Sequence, residues 1–104
     1  MQKPYLLHGK LKAKTNQVES LAKILLDAAD LISEASGCQL YVVGSDSNEP
    51  NSVFVTEIWD TKENHDLSLY IPGVRELIME AMPLLDGPPA TGQEIQLFGG
   101  HGIS

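Results

Sequence analysis

Cysteine is nearly missing from this chain: Cys38 is the only one in 104 residues. An internal disulfide is excluded, and no second thiol is present to make a redox or metal pair. Cations are scarce as well. Seven Lys and Arg stand against fourteen Asp and Glu, a net charge of −7. Phosphate backbones are held by clustered cations, so nucleic acid is a poor partner. The lysines near the start, Lys3, Lys10, Lys12 and Lys14, lie on or beside one strand and read as a solvated edge. Long apolar runs are absent too. Nothing approaches the roughly 18 residues of a membrane span, and MQKPYLLHGK lacks the apolar core and cleavage site of a signal peptide. A cytoplasmic protein without membrane contact is expected. The three histidines are too scattered to read as metal ligands. No G-x-G-x-x-G follows the first strand, and GGHG near the end is not a phosphate loop. No metal and no cofactor is expected.

What is present is a globular balance, 42% apolar and 20% charged, which suits one small domain over residues 1–104. Pro4 to Lys14 alternates. Tyr5, Leu7, Leu11 and Ala13 share one face, and His8, Lys10, Lys12 and Lys14 the other. Asn16 with Glu19 suggests a capped helix start. The apolar positions from Val18 to Ile32 continue it, predicting a helix over 17–36 closed by Gly37. CQLYVVG and SVFVTEIWD read as strands joined by the turn-rich SDSNEPN, a hairpin with a longish loop. Thr61 is placed to cap a short helix through Leu69. Pro72 suits the first turn of a second helix with Val74, Leu77, Ile78 and Ala81 along its stripe. DGPPATG is a loop, EIQLFG the last strand, and GHGIS a loose tail.

The order β-α-β-β-α-α-β predicts an α+β, ferredoxin-like domain with a four-stranded antiparallel sheet and helices on one face. LYVVG and VFVTEIW are apolar on both faces, whereas a sheet covered on one side should alternate. The chain has no spare helix for the second face, so a partner subunit is inferred, most simply a second copy.

The strand ending EIWD, which runs straight into a helix, resembles the antibiotic biosynthesis monooxygenase superfamily. So do GCQLYVV, WDTKENHDLSL, VRELIMEAMPLL and the GGHG ending, which together resemble its quinol monooxygenase-like subgroup over nearly the whole chain. The resemblance implies a dimeric α+β barrel, a homodimer with two sheets face to face and a pocket between each sheet and its own helices. It implies oxidation of a phenolic or quinol-like small aromatic by O2 without metal or flavin. In the family's well-known enzymes the helix histidine stands further from the tryptophan, where this chain has Ser68 and Leu69. Here it is His65, six positions after Trp59. Three residues are close to one helical turn, so His65 and Ser68 lie near one face.

The chemistry asks for an apolar pocket, a group that removes a proton, and a donor for the resulting anion. An imidazole titrates near pH ~6.5, within reach of neutrality. An indole offers a flat wall and an N–H. His65 and Trp59 are thus the candidate catalytic pair, against the simpler reading of a satisfied helix histidine and a packed indole. His8, Asn64, Ser68, Met79 and Met82 are the candidate substrate contacts. His8 reaches a pocket only if Leu7 and Leu11 face the partner; otherwise it lies at solvent or an interface. Capping explains Asn64 and Ser68 equally well, and core packing the two methionines. Glu57 shares Trp59's strand face and needs a partner if buried. Tyr41 and Phe54 read as core, and Cys38 as an inert buried thiol. Two functions follow. One is a homodimeric cofactor-independent monooxygenase of a hydroquinone or other phenol. The other is the same dimer binding a small molecule without turnover, with haem degradation as a weaker variant.

Overall fold

The computed structural model describes residues 3–89 and 92–103. Its elements are β1 (Tyr5–Lys12), α1 (Val18–Ile32), β2 (Cys38–Asp46), β3 (Glu49–Trp59), α2 (Lys62–Ser68), α3 (Val74–Ala81), a 3-10 turn (Met82–Leu84) and β4 (Gln93–Gln96). The sheet has the order β2-β3-β1-β4, antiparallel at each pairing. This is the ferredoxin-like arrangement.

Several boundaries differ from the sequence expectation, each for a local reason. Asn16 does not cap α1: it takes a left-handed φ of 67°, Gln17 occupies the cap position, and no side chain bonds there. The helix ends at Ile32, capped by Ser33, four residues before the expected Ser36. Gly37 serves the turn into β2 instead, at φ 85°. A Cβ there would overlap Asp60 Oδ1 and crowd Asn64, so only glycine fits. The β2–β3 connection is no long loop. The strands run on to Asp46 and Glu49, and the Asp46 carboxylate accepts from the Asn48 N–H at 2.8 Å. Short polar side chains can close such a turn themselves. Pro72 lies outside α3, because Gly73 is the cap at φ 96°. β4 stops at Gln96. The loop expected over 86–92 includes positions 90 and 91, and the tail ends at 104; these three lie outside the described residues. Thr61 caps α2 as expected, accepting from the Asn64 N–H at 3.1 Å.

The cross-strand pairs Tyr5–Trp59, Leu7–Glu57, Gly9–Val55 and Leu11–Val53 set β1 and β3 side by side, and Tyr41–Glu57 joins β2 to β3. Side chains two apart share a sheet face, so these residues all lie under the helices. The core there falls into two clusters. One holds Tyr5, Ala28, Ile32, Trp59 and Val74; the other holds Ala13, Leu21, Val53, Ala81 and Leu85. The opposite face, by the same alternation, carries Leu6, His8, Leu40, Val42, Phe54, Thr56, Ile58 and Ile95. No element of the described chain packs over it as the helices do over the first. Val42 is 47% exposed and Ile95 38%.

Candidate functional site

Between the two core clusters an apolar cavity of about 160 Å3 remains. Its walls are aliphatic side chains of α1 and α3, with Leu11 from β1. Four groups bring chemistry to it: Tyr41, Glu57, His65 and Ser68. Glu57 is the carboxyl at its floor, set between Val55 and Trp59 on the helix-covered face of β3. Being only 9% exposed, it must be satisfied by protein groups. Trp59, two residues on and wholly buried, donates its indole N–H to Glu57 Oε1 at 3.0 Å. His65 Nε2 approaches the same oxygen at 3.8 Å. Removal from water raises the Glu57 pKa, while the indole donor and the nearby imidazole oppose that rise.

His65 reaches the floor because α2 begins directly after β3. The ring stands edge-on to Trp59 with centroids 5.9 Å apart, and tilted against Tyr5 at 5.6 Å. On its outer side Nδ1 lies 3.0 Å from Asp66 Oδ1. If Nδ1 carries the proton and donates it to Asp66, Nε2 keeps its lone pair toward Glu57 and the cavity. The Asp66 carboxyl is held below its usual range by the bond to His65 and then by Lys62, whose Nζ is 3.0 Å away. Tyr5 donates its phenol to Glu94 Oε1 at 2.7 Å. Burial first, and then that carboxylate, drives the Tyr5 pKa far up. Tyr41 is raised likewise by burial and by Glu57. Both phenols therefore keep their protons at neutral pH.

The remaining sequence candidates separate. Ser68 lines the cavity, but its hydroxyl donates to the His65 carbonyl at 2.5 Å and so seats the helix. Met82 lines the cavity; Met79 is 65% exposed and does not. Asn64 also stays outside. Its amide donates to Asp60 Oδ1 at 2.8 Å, and it borders a separate small hollow near Ala35 and Ile71. His8 is on the other side of the sheet, with Nδ1 2.9 Å from Thr56 Oγ1 and its ring stacked on Phe54. Leu7 and Leu11 pack into the core under the helices, so alternation sends His8 to the uncovered face. Cys38 is a poor nucleophile, because burial and Glu57 raise its thiol pKa. Among the described residues no group of three or more His, Cys, Asp or Glu is arranged to hold a metal ion. None of the helices is long and apolar enough to cross a membrane.

Residues 4–76 match the antibiotic biosynthesis monooxygenase family. The chain belongs to this family. Among solved structures, a candidate antibiotic biosynthesis monooxygenase from Chloroflexus aurantiacus is 37% identical, with 97% of this chain and 99% of that one covered at a TM-score of 0.85. One from Deinococcus radiodurans is 26% identical over 96% of each chain, TM-score 0.73. One from Caulobacter crescentus is 16% identical, covers 94% of this chain and 92% of its own, and shares the fold at 0.86. No curated protein matches the chain significantly. Tyr41, which the sequence reads as core, lines the cavity. The sequence marks Glu57 only as a charge in want of a partner. The usable signal was the alternation of β3, which puts one carboxylate on Trp59's apolar face.

Trp59 carries stability as well as the contact to Glu57. Trp59→Ala is expected to lose about 3–5 kcal/mol. Trp59→Phe should lose much less, since the ring still packs, while leaving Glu57 without its N–H donor. Urea unfolding followed by circular dichroism checks the pair; a loss below about 1 kcal/mol for alanine would show that the indole is not a core anchor.

Proposed function

We propose that the protein is a cofactor-independent monooxygenase of a hydroquinone or related phenol, acting as a homodimer with His65 as the proton acceptor. One observation carries this reading: the His65 imidazole stands at the edge of an apolar cavity, between the Asp66 carboxylate on Nδ1 and the Glu57 carboxyl on Nε2. A phenol bound there gives its O–H proton to Nε2. The imidazolium that forms is flanked by two carboxyl groups, which stabilise it. The phenolate is a far better electron donor to O2 than the phenol. For a hydroquinone, one oxygen atom enters the ring and the other leaves as water. The substrate supplies all four electrons and becomes a hydroxyquinone. The cavity's part is to keep water away from the anion and hold the ring against Glu57 and Tyr41.

The dimer reading is supported by the uncovered sheet face, where Leu40, Val42 and Ile95 are each more than a third exposed. Apolar patches of this sort mark interaction surfaces. A second copy placed there would leave the cavity under the helices intact and would surround His8.

The test is an oxygen electrode reading on chelator-treated protein given a panel of hydroquinones and catechols, with particle mass measured by light scattering. Oxygen uptake that scales with protein, from a particle of twice the chain mass, is expected. Ligand-dependent thermal stabilisation with no oxygen uptake anywhere in the panel would favour the binding module instead.

A further inference from the structure

Gly9 occupies the middle of β1, opposite Val55 and between Leu7 and Leu11 on the face beneath the helices. Glycine weakens a strand interior through chain entropy, so its presence there points to a constraint. The backbone supplies none, since Gly9 is not among the glycines of positive φ. Crowding supplies none either: a Cβ added at Gly9 would meet no heavy atom within 4 Å. What its bareness leaves is room. A second cavity of about 210 Å3 lies over it, walled by Leu7, Leu11, Leu25 and Val55, with Lys10 and Gly92 also lining it. This hollow and the one beside His65 have Leu11, Leu25, Tyr41 and Glu57 in common. The two adjoin, with a carboxyl and a phenol at the waist between aliphatic lobes.

We propose that Gly9 sets the size of ligand this protein accepts: a hydroxyaromatic head sits at Glu57 and Tyr41, and an uncharged apolar tail lies in the lobe over Gly9. The inference rests on the small-molecule site described under the proposed function, and it needs no turnover there. The head's hydroxyl finds polar partners at the waist. The tail meets mainly hydrocarbon walls, so an alkyl chain suits it. A phenol alone fills one lobe. A phenol with a short para-alkyl chain fills both.

The experiment titrates phenol, 4-ethylphenol, 4-butylphenol and 4-hexylphenol into the full chain by calorimetry, then repeats this with Gly9→Ala and Gly9→Val. In the unaltered protein each buried methylene is expected to tighten binding about fourfold until the lobe is full. Gly9→Val should weaken 4-butylphenol about tenfold or more, the equivalent of roughly two methylenes, and leave phenol within about twofold; Gly9→Ala should fall between. Affinity that stays flat along the series overturns the proposal, as does equal weakening of phenol and 4-butylphenol in Gly9→Val. Failure of Gly9→Ala to fold also overturns it, because it contradicts the open space at this position. Graded, Gly9-dependent binding with no oxygen uptake would defeat the oxygenase reading and leave this one standing. Oxygen uptake with binding indifferent to Gly9 would do the reverse.

Discussion

Replacing Glu57 by glutamine is expected to give a protein that melts later and turns over more slowly. The carboxyl lies in a nearly dry place, so its ionised form is disfavoured there; the Trp59 N–H and His65 offset that only in part. Glutamine keeps an acceptor oxygen for the indole and can donate its amide to His65 Nε2, with no charge left to bury. Removing an incompletely compensated buried charge of this kind stabilises on the order of 1 kcal/mol. In a domain of this size that is about 4–8 °C in the melting midpoint. The sign with pH follows from the raised pKa. The folded chain binds the Glu57 proton more readily than the unfolded chain does. The stability from this group is therefore complete below the unfolded pKa and is lost as pH rises through the folded one. Glu57→Gln should accordingly exceed the unaltered protein most at pH ~8 and lose that lead as pH falls toward ~5. Turnover should drop by about 10- to 100-fold, because the imidazolium formed on proton transfer loses one of its two flanking carboxylates. Melting curves across pH, with oxygen uptake at matched occupancy, check both halves. A variant that melts earlier at pH ~8 would show that the charge is better satisfied than this geometry implies.

A larger effect on chemistry is expected at His65. His65→Ala should keep the fold, because the ring packs at the cavity edge and the helix start is held by Thr61. It removes the only described imidazole that lines the cavity beside Glu57. General base catalysis contributes about 10²- to 10⁴-fold, and a loss in that range is predicted for oxygen uptake with unchanged circular dichroism. The vacated space admits small heterocycles, so free imidazole should restore part of the rate. A merely structural histidine would show no such rescue. Full activity in His65→Ala would move the proton transfer elsewhere and remove the basis of the proposed mechanism.

Element order, the strand face shared by Glu57 and Trp59 and the capping role of Thr61 were legible because each depends on residues close in sequence. Alternation in β1 and β3 assigns faces without any knowledge of partners. The errors arose where distant parts meet. Gly37 looked like a helix terminator because glycine does end helices. Its actual constraint is Asp60 and Asn64 arriving from the far end of β3, which no local pattern reveals. His8 illustrates the same limit. Its face could be read from alternation, yet its Thr56 and Phe54 neighbours come from strand register. Tyr41 looked like core because aromatic residues on strands usually are; only the cross-strand pairing with Glu57 brings it to the cavity. The hollow itself is a gap between side chains from α1, α3 and the sheet, and a string of residues does not display a gap.

The contact at Gly37 also decides where the fold has slack. The Gly37 carbonyl accepts from the Asp60 N–H at 2.9 Å, and the Asn64 amide grips Asp60 one helical turn before the cavity. The start of α2 is thereby riveted to the exit of α1, so the imidazole inherits its coordinates from a bend far away in the chain. The Ser47–Asn48 hairpin tip has no such tie to α2. Lengthening or shortening the chain is therefore a mechanically different act at the two ends of β2. At one end it only reshapes an outer rim; at the other it displaces the anvil on which the base is held.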